Sequence, residues 1–340
     1  MKLKSNTSKL TVSISFGLFL IASIIISVGF SRQTAPTYNG RKISREVKNV
    51  MDFLESLPGE VMLAGQEEGN ANGLTTEMDY LEKVTGKLPA IRGFDVRTDV
   101  PDPMKEAVVS WKERHQLVTF SWHMGAPPLK DSYSNSKEMV SISKVLEKGT
   151  SENMSYMKKL DDMALRLAEL QKQNVPVLWR PFHEMNGAWF WWGPKENSGN
   201  DGEQFVKLWR LMFDYYTNKK GLDNLIWIWS GSYEVDAAFY PGDKYVDIVG
   251  TDTYHKLNHE RWAKEFDKLK TVAPTKLVAL TENDRIPNPD MSKEIITHWI
   301  WFLTWHTQWL RQNPEEELVK IYNHPLVITA DEMPDLQTEN

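Results

Sequence analysis

Two glutamates stand where this chain could carry out bond-cleaving chemistry. Glu184 lies in the stretch 179–193, which reads WRPFHEMNGAWFWWG, and Glu282 lies in the shorter stretch 280–284, which reads LTEND. Each follows an apolar segment typical of a buried strand. Two carboxylates flanking a glycosidic bond are what the hydrolysis of that bond usually requires. The pair therefore predicts a site that cleaves sugar linkages.

The surroundings of the two glutamates indicate different roles. Glu184 follows His183 and precedes a bulky aromatic loop, which should raise its pKa and suit it to donate a proton. Glu282 lies among polar residues, where the hydroxyl of Tyr254 could hold it ionised as a nucleophile. A gap of ~5–5.5 Å between the carboxylates would give retention and ~6.5–9.5 Å inversion, and the sequence leaves this open. The ordinary alternative for either glutamate is a surface ion pair.

Aromatic and hydrogen-bonding residues close to the same strand ends are candidates to bind sugars. An indole plane matches the C–H face of a pyranose ring, and an imidazole can donate to hydroxyls. The candidate stacking surfaces are Trp122, Trp189, Trp192 and Trp305, and the candidate donors are His123 and His183. For Asp95 and for Asp247 the sequence leaves two roles open, contact with the substrate and support of the fold.

Other chemistries fit the sequence less well. His183-Glu184 does not start a zinc-protease motif, because Gly187 occupies the position of the second histidine. The chain has no G-x-S-x-G elbow, P-loop or dinucleotide fingerprint. It also has no cysteine, which excludes thiolate catalysis and disulfides. We expect neither a metal nor a cofactor.

Eight apolar segments alternate with segments of helical spacing and predict one (β/α)8 TIM barrel, a single catalytic domain over residues 43–340. The predicted strands are Val61–Gly65, Leu88–Val96, Leu117–Trp122, Val175–Leu178, Leu225–Trp229, Val246–Thr253, Leu277–Leu280 and Trp299–Trp305. The last of them could instead be the end of a helix. Polar candidates fall at the carboxyl ends of these strands, the face where barrel enzymes build their sites. They are Asp95, His123, Glu184, Tyr254 and Glu282.

The N-terminal segment predicts export. Three lysines precede an apolar run, Thr11–Phe30, followed by small residues, which is typical of a secretory signal peptide over residues 1–30. An uncleaved membrane anchor is the alternative. A linker is predicted over residues 31–42. Loss of the three lysines changes the formal charge from −6 to −9, and this acidic balance argues against nucleic acid and anionic membranes as partners. We expect a secreted or periplasmic monomer that acts on a neutral substrate.

The assembled motifs resemble glycoside hydrolase family 26, whose members include endo-β-1,4-mannanases. The segments that carry the resemblance are 178–187, Trp189, Trp192-Gly193, 246–254, 280–282, Trp305-His306, 121–123 and 322–325. The resemblance covers nearly all of the chain after its first thirty residues. It implies a (β/α)8 barrel and a retaining mechanism, with Glu184 on strand four as acid/base and Glu282 on strand seven as nucleophile.

The resemblance also implies a set of substrate contacts. His183, Trp189, Tyr254 and Trp305 match residues around the cleaved bond, and His123 and Asp247 match further contacts. The implied substrate is mannan, glucomannan or galactomannan. Because Asn283-Asp284 departs from the residues usual after the nucleophile, selectivity for distal sugars does not follow. A β-glucanase or β-1,3-xylanase with the same mechanism is one alternative, and a carbohydrate-binding barrel without activity is another.

Overall fold

The computed structural model describes residues 35–69, 73–254, 259–290 and 297–338, which belong to one compact unit, Ala35–Asn340. The predicted signal peptide, 1–30, lies outside the described residues. Among the helices described, none combines the length and the apolar composition needed to cross a bilayer.

Eight parallel strands of the described chain close into a barrel, as predicted. They are β1 Met62–Glu67, β2 Ile91–Asp95, β3 Leu117–Trp122, β4 Val177–Pro181, β5 Leu225–Ser232, β6 Ile248–Thr253, β7 Leu277–Asn283 and β8 Trp301–Thr304. Each strand pairs with the next one in the chain, and β8 pairs with β1 to close the ring, with Trp301 opposite Leu63. The eighth segment, which could have been a helix end, is therefore a strand.

Helices cover the outside of the barrel. They are α1 Arg45–Ser56, α2 Thr76–Thr85, α3 Met104–Arg114, α4 Ile142–Leu146, α5 Ser151–Lys172, α6 Gly202–Asp214, α7 His259–Val272, α8 Gln308–Arg311 and α9 Glu315–Tyr322. In α1, Ser44 caps the first turn by accepting the Val47 N–H, and the buried residues Val47, Val50 and Leu54 recur at helical spacing to form one apolar face. The connection between β5 and β6 carries two 3-10 turns, Ala237–Phe239 and Asp243–Tyr245, and no α-helix.

The predicted linker contributes a folded element at the amino-terminal end of the barrel. Thr37–Tyr38 and Arg41–Lys42 form an antiparallel hairpin. From this hairpin Arg41 donates both terminal nitrogens to Asp247, with Nη1 at 2.8 Å from Oδ1. Asp247 also accepts the Trp227 N–H at 2.8 Å. Both charged side chains are buried, so the ion pair replaces the water that each has lost.

This position corrects the prediction for Asp247. It precedes β6 and lies at the opposite end of the barrel from the carboxyl ends of the strands. Its carboxylate is occupied by the hairpin and by β5, so its role is to support the fold.

Replacing Arg41 with alanine should lower the free energy of unfolding by about 3–5 kcal/mol, because Asp247 would stay buried without its partner. The neighbouring Lys42→Ala is the control, since Lys42 is 66% exposed in its ion pair with Asp223 and should cost less than about 1 kcal/mol. Urea unfolding of both variants measures the difference. Equal losses would show that the buried pair adds no more than a surface pair.

Candidate active site

A cleft of about 610 Å³ opens at the carboxyl ends of the barrel strands. Both glutamates line it, together with most of the predicted sugar contacts. The lining residues are Asp95, Arg97, His123, Tyr133, His183, Glu184, Trp189, Phe190, Ser232, Tyr233, Tyr254, Glu282, Trp305, His306, Gln308 and Trp309. They come from the ends of β2 to β8 and from the loops that follow, so barrel closure alone brings distant parts of the chain together.

Glu282, on β7, is held by two donors. Arg180 donates Nη2 to one carboxylate oxygen, and the Tyr254 hydroxyl donates to the other. Burial, reinforced by the charge of Glu282, raises the pKa of Tyr254 well above its ordinary value, so the phenol keeps its proton and remains a donor. Bonds of this kind stabilise a negative charge and fix the orientation of the carboxylate.

Glu184 lies in the loop after β4 with a very different environment. Its backbone is left-handed, at φ 53°, and its N–H donates to the Ser230 carbonyl at 2.9 Å. The Trp189 indole donates to Oε2 at 2.6 Å. Burial raises the pKa of Glu184 well above its ordinary value, and the charges of Glu282 and Asp252 raise it further. This shift favours the protonated form of Glu184, which is the form that a general acid requires.

The loop that carries Glu184 needs a glycine at one point. A Cβ on Gly187 would lie 2.3 Å from the Trp189 indole, a distance that no side chain tolerates. Gly187 also donates its N–H to the Glu184 carbonyl at 2.9 Å, closing the turn. The small residue lets the indole fold back over the backbone and reach the carboxylate.

The acidic groups of the cleft are close together. Glu184, Asp252 and Glu282 each place one carboxylate oxygen within 4.8 Å of the others. Arg180 lies between two of them, with Nη1 at 2.9 Å from Asp252. Burial raises the pKa of Asp252 to about 8, although Arg180 opposes the shift. Three carboxylate oxygens at this spacing could hold a cation, but the guanidinium already bonds Asp252 and Glu282.

The two histidines form one wall of the cleft. Their rings meet edge to face, with centroids 4.7 Å apart. Asp95 bonds Nδ1 of His123 at 2.7 Å, which leaves Nε2 as the free ring nitrogen of His123. Burial, helped by the nearby charge of Arg180, lowers the pKa of His183 well below its ordinary value, so this ring is neutral. Both imidazoles line the cleft, where their ring nitrogens are suited to hydrogen bonds with sugar hydroxyls.

The predicted aromatic contacts divide into two groups. Trp189 and Trp305 line the cleft, where the sequence placed them. Trp122 and Trp192 do not, and their predicted stacking on sugars is corrected. Trp122 is 2% exposed and donates to Asp131 at 3.0 Å. Trp192 is fully buried, donates to the His183 carbonyl at 2.8 Å, and stacks on Phe190 with ring centroids 4.6 Å apart. It supports the cleft wall from behind.

Arg180 and Asp252 are functional candidates that sequence reasoning missed. Both are buried charges on barrel strands, and a buried charge requires a partner. Side chains alternate between the two faces of a strand, so Asp252 in β6 points to the same side as Tyr254, two residues later. This alternation could have predicted from the sequence that Asp252 faces the cleft. The aromatic residues Tyr133, Phe190, Tyr233 and Trp309 at the cleft were also missed. Tyr133, Phe190 and Tyr233 lie in loops, and Trp309 lies in the short helix α8, and no periodicity in the sequence indicates that these segments reach the cleft.

A parallel eight-stranded barrel with a proton-carrying glutamate facing an arginine-bound glutamate defines a glycoside hydrolase of the (β/α)8 type. The comparison with known families agrees. Residues 40–332 match the model of glycosyl hydrolase family 26. The chain belongs to this family and is an enzyme.

Among curated relatives, the chain is similar to enzymes named mannan endo-1,4-beta-mannosidase. That of Thermothelomyces thermophilus is 28% identical, with 97% of this chain and 71% of the relative aligned. That of Bacillus subtilis is 29% identical, with 86% and 88% aligned. The chain spans about half, 52%, of a Piromyces mannan endo-1,4-beta-mannosidase to which it is 30% identical.

Solved structures give the same likeness. The GH26A protein of a Muricauda species is 34% identical with a TM-score of 0.77, covering 87% of this chain and 100% of that one. A beta-mannanase from a symbiotic protist of the termite Reticulitermes speratus, complexed with gluco-manno-oligosaccharide, is 26% identical with a TM-score of 0.77. The alignment covers 89% of this chain and 99% of that one.

Proposed function

We propose that this enzyme hydrolyses internal β-1,4-mannosidic bonds in mannan, glucomannan or galactomannan and retains the anomeric configuration. The observation that carries the proposal is the cleft pair, Glu184 and Glu282, with carboxylate oxygens within 4.8 Å. Such a short gap favours direct attack by a carboxylate over attack by an intervening water. The names of the family 26 relatives support mannan as the substrate.

In the first step Glu282 attacks the anomeric carbon while Glu184 gives its proton to the departing oxygen. The bond to the leaving sugar breaks, and a glycosyl ester forms on Glu282. Arg180 and Tyr254 hold the attacking carboxylate in line. As the ester forms, the negative charge on Glu282 disappears.

The same change prepares the second step. The charge of Glu282 is one cause of the raised pKa of Glu184. Esterification removes this charge, so the pKa of Glu184 falls after it has given up its proton. Glu184 can then take a proton from an incoming water, which attacks the anomeric carbon and releases Glu282. One electrostatic coupling thus suits Glu184 to act first as acid and then as base.

Substrate contacts follow from the cleft lining. Trp189 and Trp305 offer planes for pyranose faces, and His123 and His183 offer ring nitrogens to hydroxyls. The indole of Trp189 serves twice, because its nitrogen also bonds Glu184. These contacts suit a neutral polysaccharide. The proposed steps use protein side chains and water, without a metal or a cofactor.

Replacing Trp189 with phenylalanine should move the alkaline limb of the kcat/KM profile to higher pH. The indole bond lowers the pKa of Glu184 against the raising effect of burial. Without the bond the pKa rises, and the general acid stays protonated further into the alkaline range. Trp305→Phe is the control, since Trp305 lines the same cleft. A profile of Trp189→Phe that coincides with that of the control would contradict the coupling.

A panel of polysaccharides tests the proposed substrate. Mannan, glucomannan, galactomannan, lichenan and β-1,3-xylan are each assayed by release of reducing ends with sizing of the products. We expect short manno-oligosaccharides from the mannan-type polymers. Cleavage of lichenan or β-1,3-xylan without cleavage of mannan would overturn the proposed substrate, and binding without cleavage would favour a carbohydrate-binding role. Proton NMR of the first product gives the anomeric outcome.

We also propose that residues 1–30 direct export and that the mature enzyme is a secreted or periplasmic monomer without a membrane anchor. The three lysines and the apolar run after them support this. Sequencing of the mature N-terminus tests it, because an intact Met1 on exported protein would indicate a retained anchor. Sedimentation of the purified enzyme tests the monomer.

A further inference from the structure

The segment 305–309, made of the loop between β8 and α8 and the first two residues of α8, contributes a large part of the cleft. Four residues of the segment 305–309 line it, namely Trp305, His306, Gln308 and Trp309. Their placement decides where a sugar ring can lie. The first of them is fixed by β7, because the Trp305 N–H donates to the Asn283 carbonyl at 2.9 Å. The rest of the loop turns away from the sheet and requires another support.

Thr307, in the middle of this loop, has an unfavourable backbone. Its φ is 52° and its ψ is −118°. The Trp309 N–H donates to the His306 carbonyl at 3.2 Å, so Thr307 occupies the second position of a tight turn of the type that glycine usually fills. A β-branched residue there is strained, and such strain persists only where the surroundings hold the residue in place.

Glu77 supplies that support. Its carboxylate accepts the Thr307 N–H on Oε1 at 3.1 Å and the Gly69 N–H on Oε2 at 2.8 Å. Gly69 follows β1, which pairs with β8 where the barrel closes. One side chain, 1% exposed in the first turn of α2, thus joins the loops that follow two adjacent strands.

Glu77 is itself held firmly. Its backbone N–H donates to Oε2 of Glu68 at 3.1 Å. Oε1 of Glu68 accepts from Nε of Arg92, also at 3.1 Å. Arg92 is fully buried and bonds Ser110 on α3 at 3.0 Å. The backbone of Glu77 is therefore tied through Glu68, which follows β1, to Arg92 on β2 and to Ser110 on α3, and this fixes the base of the side chain.

We propose that Glu77 is a positioning residue that sets the β8–α8 loop for sugar binding. Among the hydrogen bonds of the described residues, none joins the Glu77 side chain to a side chain that lines the cleft, so Glu77 acts through the backbone of Thr307. The proposal rests on the proposed function, since it assigns Glu77 to the binding of the same polysaccharide. Its effect should fall on KM and on where the chain is cut, because the loop carries neither Glu184 nor Glu282.

Glu77→Gln tests this with almost no change in size. A glutamine has one acceptor oxygen and an NH₂ group, so it can accept only one of the two backbone N–H groups. We expect KM for mannohexaose to rise about tenfold, with kcat changed less than about threefold. The distribution of cuts along reducing-end-labelled mannohexaose should shift as well. Asp79→Asn is the matched control, because Asp79 lies in the same helical turn but is exposed.

Thr307→Gly provides a second and independent variant. Glycine adopts this backbone without strain and keeps the N–H. If Glu77 acts by holding Thr307 in place, Glu77→Gln should matter less once residue 307 is glycine. The rise in KM from Thr307→Gly to Glu77→Gln/Thr307→Gly should be at most half of the rise from wild type to Glu77→Gln. A purely structural role predicts a lower melting temperature for Glu77→Gln, with the KM and the cleavage pattern of the Asp79→Asn control.

The outcomes separate the two proposals. If wild-type enzyme fails to cut mannohexaose or mannan, the proposed function is wrong and the Glu77 assignment falls with it. If wild type cuts, and folded Glu77→Gln has the KM and cut positions of Asp79→Asn, the Glu77 assignment alone is overturned. Absence of rescue by Thr307→Gly, with a raised KM in Glu77→Gln, would show that Glu77 does not act through Thr307 and would also overturn it.

Discussion

Replacing Glu282 with alanine is expected to lower kcat on mannan by on the order of 10⁴-fold. The substitution removes the carboxylate that would form the glycosyl ester, and nothing in its place can bond the anomeric carbon. It also leaves one Arg180 nitrogen without its acceptor. Initial rates of reducing-end release, with circular dichroism to check folding, measure the effect.

Two companions make the Glu282 result decisive. Glu282→Gln keeps an acceptor for Arg180, so a stable fold with equally low activity separates loss of chemistry from loss of structure. Glu265→Gln changes another buried carboxylate, which accepts the Glu234 N–H at 2.8 Å outside the cleft, and should stay active. A Glu282→Ala enzyme with most of its mannanase activity would show that the nucleophile is another residue.

Replacing Glu184 with alanine should give a loss that depends on the substrate. On mannan we expect kcat to fall by roughly 10²–10⁴-fold, because general acid catalysis contributes about that much. An aryl glycoside with a strongly acidic phenol needs little protonation, so its first step should be nearly unaffected. Breakdown of the glycosyl ester then becomes slow, since no base activates the water.

Added azide distinguishes this role from simple damage. A small anion can enter the space left by the Glu184 side chain and attack the glycosyl ester without a base. We expect azide to accelerate the Glu184→Ala enzyme on the aryl glycoside, with a glycosyl azide as product, and to leave wild type unchanged. Equal loss on all substrates with no response to azide would remove Glu184 from the acid/base role.

The sequence was sufficient for the barrel and for the position of the two glutamates, because both depend on strand period and on strand direction. Strand direction also shows why the predicted substrate contact of Asp247 was wrong. Asp247 and Asp252 lie five residues apart in one predicted strand. Only the residue near the carboxyl end can face the cleft, and that residue is Asp252, which bonds Arg180.

Other features of the site were beyond sequence reasoning for physical reasons. Arg180 is separated from Asp252 and Glu282 by 72 and 102 residues, and its ion pairs depend on barrel closure. Trp122 and Trp192 have the composition of sugar-binding residues. Their burial depends on loop paths and on acceptors such as Asp131 that no local pattern reveals.

The hairpin at the base of the barrel has a practical consequence. Arg41 ties residues 37–42 to Asp247 and to the Leu225 carbonyl at the start of β5, at the end remote from the cleft. A carrier or a solid support coupled just before the hairpin in the sequence is therefore attached at the end of the barrel opposite the cleft. Coupled this way, the enzyme leaves its cleft open to the proposed polysaccharide, whereas attachment near the β8–α8 loop would cover the cleft.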